Sequence, residues 1–238
     1  MLTLPPEVFL VFGHRGASAH AHENSVAAFR LASAQGADGV ELDVRRSADG
    51  ALFVHHDATV AGLGPIIAHT AADLRRHRPA IATFAEAMAA CEGLIVNVEI
   101  KNSPMDPDFD PDDGVTTGVI SWLKENGWTD RVIVSSFNPA TVDRARRLGE
   151  GVATGQLIDP GADARQQLLV AHQRGHQALL PHITSLTDSP ELASIAMGLD
   201  MWLFTWTVDD PEAIRAMRDA GVTGVITNDP AAAVAAIG

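Results

Sequence analysis

The sequence predicts an α/β fold, a (β/α)₈ TIM barrel, and three observations lead to it. Short apolar runs alternate with helical stretches along the whole chain, the pattern of parallel strands joined by crossover helices. The length of 238 residues suits one barrel of about 250 residues, so residues 1–238 read as a single domain. The spacing of the apolar runs leaves eight βα units once one hairpin is recognised.

The candidate strands are residues 8–13, 39–44, 51–56, 94–101, 131–136, 152–158, 178–181, 201–208 and 224–227. This is one run too many for a barrel. Only residues 45–50 separate the second run from the third. Parallel neighbours need a crossover of roughly a dozen residues or more, so this pair must form an antiparallel hairpin, with Asp49-Gly50 supplying the turn. Helix starts support the count. Asn138-Pro139, Ser189-Pro190, Asp210-Pro211 and Asp229-Pro230 each put a capping side chain before a proline at the first helical position. Thr83 with Glu86 forms a capping box. Gly149, Gly175, Gly198 and Gly221 fall where helices should stop.

Composition narrows the function. Apolar residues make up 46% of the chain, enough for a large core, and the net charge is −13. Seventeen basic against thirty acidic residues argue against binding nucleic acid, which depends on Lys and Arg neutralising phosphates. An anionic ligand would need a local positive centre, which a metal can supply. Cys91 is the single cysteine; it excludes an intrachain disulfide and, set in an apolar helical stretch, reads as core. Residues 1–12 read as a first strand rather than a signal peptide. No apolar run reaches the roughly 18 residues of a membrane span. A cytoplasmic chain with no stable membrane insertion is the expectation.

Residues 102–114 contain five aspartates and three prolines. They follow a strand, so they belong on the catalytic face of a barrel. The stretch fails the EF-hand pattern, because Pro111 stands where glycine is needed and Thr117 where glutamate is needed. It is either a solvated connection or a lid that shapes a pocket.

Strand alternation selects the candidate chemistry. Glu41 and Asp43 share one face of their strand while Val40, Leu42 and Val44 share the other, so apolar packing against helices turns the carboxylates toward the barrel axis. Asn97, Glu99 and Lys101 repeat the arrangement against Val96, Val98 and Ile100. Close carboxylates repel unless they share a proton or a cation. Glu41, Asp43 and Glu99 make a hard oxygen site suited to Mg²⁺ or Ca²⁺, and Lys101 beside it is placed to hold a phosphate oxygen. His14 and Arg15 end the first strand, and a guanidinium matches two phosphate oxygens. His55-His56-Asp57 end the hairpin's return strand. An even loop puts His56 opposite the carboxylates, an odd loop His55, and periodicity does not choose between them. Ser135, Ser136, Phe137 and Trp206 end barrel strands and line a pocket or belong to the core.

Taken together the chain resembles the glycerophosphodiester phosphodiesterase family. The resemblance rests on Gly13-His14-Arg15-Gly16-Ala17, Glu23-Asn24-Ser25 with Ala28-Phe29, and Gly39-Val40-Glu41-Leu42-Asp43-Val44. It continues through Asp49-Gly50, His56-Asp57, Glu99-Ile100-Lys101, Ser135-Ser136-Phe137, Trp206-Thr207-Val208 and the stretch from Gly224 through Asn228 to Pro230. These elements are in order over nearly the whole chain. The resemblance implies a metal-dependent (β/α)₈ enzyme that cleaves a small-molecule glycerophosphodiester to glycerol 3-phosphate and an alcohol. It implies His14 and His56 as general acid and base, Glu41, Asp43 and Glu99 as ligands of the divalent cation, and Arg15 and Lys101 as phosphate contacts. Asn24, Ser136, Phe137 and Trp206 are the remaining pocket candidates, and His56 is favoured over His55. Residues 57–83 are shorter than the insertion often found in the family and lack the arginine common after His-Asp. Ser25 replaces a usual threonine, and no proline precedes Glu23. Two alternatives remain: a lysophospholipase-D-like or sphingomyelinase-D-like phosphodiesterase, marked by a longer apolar groove near Met105 and Phe109, and a non-catalytic barrel, which would tolerate loss of a histidine or ligand.

Overall fold

A computed structural model describes residues 1–5 and 8–238 of the chain. In chain order the elements begin with β1 (Leu10–Gly13), α1 (Val26–Ala34) and β2 (Gly39–Arg46), followed by the short strands β3 (Leu52–Val54), β4 (Thr59–Val60) and β5 (Gly64–Pro65). Next come α2 (Ala71–His77), β6 (Ala82–Thr83), α3 (Phe84–Ala90), β7 (Ile95–Ile100), α4 (Gly114–Glu125), β8 (Val132–Ser136), α5 (Pro139–Leu148), β9 (Ala153–Ile158) and α6 (Ala164–Gln173). The chain ends with β10 (Ala178–Pro181), α7 (Ile183–Asp188), α8 (Leu192–Gly198), β11 (Trp202–Thr205), α9 (Pro211–Asp219), β12 (Gly224–Thr227) and α10 (Pro230–Ile237).

Eight parallel strands, β1, β2 and β7 through β12, close into a barrel. β1 pairs β12 on one side and β2 on the other. Glycine makes the seam possible. A Cβ at Gly39 would lie 2.6 Å from the Ile95 carbonyl oxygen and 2.6 Å from the Phe12 ring, and one at Gly224 would lie 2.5 Å from the Leu10 carbonyl oxygen. The predicted hairpin is present: β3 returns antiparallel to β2, pairing Val44 with Val54 and Arg46 with Leu52, and β6 pairs its far edge. A second small hairpin, β4–β5, follows it.

The side chains sort by strand alternation. Val40, Leu42, Val44, Val96, Val98 and Ile100 are buried against the helix layer with Phe29, Phe84 and Leu123. Inside the barrel, Phe12 meets Phe204 edge to face at 5.1 Å, and Leu10, Ile133, Leu157, Leu180 and Ile226 fill the axis around them. Glu41, Asp43, Asn97 and Glu99 are buried polar residues on that inner face, joined by Arg45 and Ser135. Cys91 is buried in the outer layer, where burial pushes its thiol up to about 12.

The helix signals hold at Asn138, Asp210 and Asp229, each accepting from a first-turn N–H ahead of proline at the start of the helix, and the Thr83–Glu86 box is complete. Ser189-Pro190 is a correction. Ser189 closes α7, and α8 starts two residues after Pro190 with Glu191 as its N-cap. The proline serves the break between two short helices rather than the first turn of one.

Candidate active site

At the C-terminal ends of the strands, β2 and β7 run in register, with Glu41 beside Asn97 and Asp43 beside Glu99. This pairing brings one ligand atom from each of Glu41, Asp43 and Glu99 within 4.8 Å of the others, all three residues buried. Lys101 Nζ lies 3.0 Å from Asp43 Oδ1 and 2.5 Å from Glu99 Oε1, and Arg15 Nε lies 3.4 Å from Asp43 Oδ2. Burial, and then the repulsion of Asp43 and Glu99, raises Glu41 well above the usual carboxylate range. Burial pushes Glu99 up to about 6 against the pull of Lys101. Burial acts on Asp43 in the same direction, but Lys101 and Arg15 outweigh it and hold this carboxyl low. Glu41 Oε1 is buried without a hydrogen-bond partner, a cost that a coordinated cation would remove.

The turn after β1 presents His14 and Arg15. Arg15 takes the left-handed conformation (φ 54°), as does Asn24 (φ 55°), a strain that non-glycine residues carry mostly at functional sites. It directs the Arg15 N–H to Glu41 Oε2 at 2.9 Å, while the guanidinium reaches Glu23. Gly16 (φ +82°) has no room for a Cβ, which would sit 2.6 Å from the Ala28 backbone. Asn24 donates to Asp43 Oδ2 at 2.7 Å, so it orients a candidate ligand.

His14 Nδ1 lies 2.8 Å from Asn228 Oδ1. Asn228 donates its own N–H groups to Asp209, which fixes its oxygen toward the imidazole. His14 therefore carries its proton on Nδ1 and leaves Nε2 with a lone pair. Burial, and then the charge of Arg15, lowers its pKa. His56 Nδ1 lies 2.9 Å from the Asp57 carboxylate.

The hairpin register is odd and places residue 55 opposite Asp43, with the His55 N–H donating to the Asp43 carbonyl oxygen. The strand, however, ends at Val54. The backbone then turns, His55 Nδ1 engages the Asp57 carbonyl oxygen and its Nε2 meets Arg78, and His56 is the residue that enters the cleft.

One cavity is lined by His14, Arg15, Glu41, His56, Glu99 and Lys101, with Phe137, Trp206, Leu157 and Ile226 as its apolar wall. It continues past Lys101 into an outer cleft of about 440 Å³ bordered by Asn102, Ser103, Met105, Asp106 and Asn138. The acidic loop is thus a wall of the cleft. Phe137 and Trp206 stand edge to face at 5.6 Å, and Trp206 Nε1 donates to the Leu180 carbonyl oxygen. Ser136 borders the outer cleft, but its hydroxyl donates to the Ile100 carbonyl oxygen. Sequence reading assigned no role to Asn228, Asp209, Glu23 or Arg45. Asn228 and Glu23 lie in motifs that carry the family resemblance, whereas Arg45 falls in the stretch expected to be the hairpin connection; β2 in fact extends through it to Arg46.

Comparison with known proteins places these features. The model of the glycerophosphoryl diester phosphodiesterase family matches residues 14–232. A glycerophosphodiester phosphodiesterase from Caldanaerobacter subterraneus is 33% identical over 93% of this chain and 94% of its own. The crystal structure of a glycerophosphodiester phosphodiesterase from Thermotoga maritima shares 27% identity, covers 96% of this chain and 98% of its own, and superposes with a TM-score of 0.79. An Oleispira antarctica phosphodiesterase, solved in complex with the product sn-glycerol-3-phosphate, is 24% identical with a TM-score of 0.84 over 98% of this chain and 97% of its own. At that identity the likeness speaks for the fold.

Proposed function

Since the chain belongs to the glycerophosphoryl diester phosphodiesterase family, we propose that it hydrolyses glycerophosphodiesters to glycerol 3-phosphate and an alcohol by histidine acid–base catalysis at a divalent cation site. The observation that carries this reading is one cavity lined by both histidines, both cations, Glu41 and Glu99, with Asp43 buried within reach of the two carboxylates. Glu41, Asp43 and Glu99 would hold the cation, and their all-oxygen donor set suits Mg²⁺ or Ca²⁺. A bound divalent cation would hold all three carboxylates ionised; with Arg15 and Lys101 the site would then carry one net positive charge, which suits a singly charged phosphodiester. When bound, the cation supplies Lewis-acid stabilisation of the phosphoryl oxygens.

The chain's own groups do the rest. Arg15 and Lys101 present charge, fixed in advance, to the phosphoryl oxygens as negative charge builds on them. His14, neutral with Nε2 free, removes the proton from the attacking hydroxyl. His56, backed by Asp57, protonates the alcohol oxygen as its bond to phosphorus breaks. The glycerol 2-hydroxyl is already tethered to the phosphorus, which favours it over water as the first nucleophile; water then opens the cyclic ester to glycerol 3-phosphate. The test is glycerol 3-phosphate release from a panel of glycerophosphodiesters with Mg²⁺, Ca²⁺ and Mn²⁺, before and after EDTA. Activity should vanish with chelation and return with metal, and Glu41→Gln should lose metal affinity while remaining folded. Full activity in protein shown by elemental analysis to hold no metal would sink the reading.

A further inference from the structure

Arg45 is the penultimate residue of β2, on the face that carries Glu41 and Asp43, yet the proposed chemistry does not use it. Its side chain is 4% exposed. Nε donates to the His56 carbonyl oxygen at 2.9 Å, Nη1 donates to Asp108 Oδ1 at 2.5 Å, and Nη2 donates to Asp106 Oδ2 at 3.0 Å. Asp108 is itself 3% exposed. A guanidinium is a rigid planar fork, so these three bonds hold the His56 main chain and the acidic loop at fixed positions relative to one another. His56 needs such a hold, because β3 has ended at Val54 and the histidine stands on a turn outside the ladder.

We propose that Arg45 is a positioning residue for His56, and that the 102–113 loop locks it in place through Asp108 and Asp106. The proposal rests on the reading of His56 as a proton-transfer group. A loop that merely covered the cleft would not need its buried carboxylate aimed at the residue holding His56. Small displacements of a proton-transfer group cost rate rather than affinity, on the order of 100-fold per ångström, so the signature is a fall in kcat with KM preserved.

Removing Arg45 outright would strand the buried charge of Asp108, so the test uses Arg45→Lys, which keeps a cation for Asp108 but replaces the fork. Two glycerol phosphodiesters serve as substrates, one with an alkyl alcohol and one with 4-nitrophenol, whose departure needs no proton. Arg45→Lys should lower kcat about 10- to 100-fold on the alkyl ester with KM within about threefold, and should share the leaving-group dependence of His56→Ala. Asp108→Asn, with its melting temperature recorded, should show the same profile at about 3- to 10-fold, and it carries the test if Arg45→Lys does not fold. Wild-type kcat in a folded Arg45→Lys protein, or an equal loss on both esters while His56→Ala discriminates between them, would overturn the proposal. Wild-type kcat in His56→Ala would instead overturn the underlying reading of His56.

Discussion

Each of the two proposed proton-transfer histidines has one polar neighbour at its Nδ1. The Asn228 amide, oriented by Asp209, sets which nitrogen of His14 is free, and the Asp57 carboxylate lies 2.9 Å from His56 Nδ1. His14→Ala and His56→Ala should each lower kcat by about 10²- to 10⁴-fold. The double variant should be little worse than either, because the two act as a unit. Full additivity in steady-state kinetics would mean that they serve separate steps. His55→Ala should stay within about threefold of wild type, since its imidazole engages the Asp57 carbonyl oxygen and Arg78 rather than the cleft. The carboxylate cluster was legible beforehand, because strand alternation marks Glu41, Asp43 and Glu99 without any knowledge of their neighbours. Arg45 was not legible: its partners lie 11, 61 and 63 residues away, and no local period joins them.

Among the elements, those with strong local signals formed where the sequence placed them. The capping box of α3 is complete on both sides, with the Glu86 N–H donating to Thr83 Oγ1 and the Thr83 N–H to Glu86 Oε2. Thr83→Ala should therefore cost about 1 kcal/mol and lower the melting temperature by about 2–4 °C for a chain of this size. Calorimetry showing no change would mean that packing alone defines this helix start. Ser189-Pro190 carries the same kind of signal yet closes one helix and precedes another, because the residues after β10 split into α7 and α8. The return strand is the other instructive departure. A two-residue period predicts which way side chains point only while the ladder lasts, and β3 lasts three residues.

At the scale of the whole molecule, two polar clusters of the barrel lie apart from one another. One is the carboxylate site at the C-terminal ends of the strands. The other joins Thr154, His176 and Asp143, with His176 Nδ1 2.9 Å from Thr154 Oγ1 and Nε2 3.3 Å from Asp143 Oδ1. Burial lowers the His176 pKa even though Asp143 pulls the other way. A histidine with a depressed native pKa binds its proton more readily when unfolded. Its contribution is therefore complete above the unfolded value of about 6.5 and is lost as pH falls from there through the native value. Thermal melts from pH 8 to 5 should fall more steeply for wild type than for His176→Gln, and parallel slopes would assign the acid sensitivity to other groups. Among the described residues no helix is long and apolar enough to cross a membrane, in keeping with the absence of a long apolar run in the chain.

What the sequence determined by itself is whatever follows from local periods and short spacings: the count of βα units, the hairpin after β2, most caps, and the inward carboxylates of β2 and β7. These are set by chirality, strand pleat and helix pitch, which act within a few residues. Tertiary structure alone decided the closure of β1 between β12 and β2 around Gly39 and Gly224, the turn after Val54 that carries His56 into the cleft despite an odd register, the tautomer of His14, and the anchoring of the acidic loop on Arg45. Each of these depends on the distance and direction between groups far apart in the chain. Such distances are fixed only when the whole barrel packs at once, because the desolvation of a buried charge or an unpaired carbonyl is a property of everything that surrounds it.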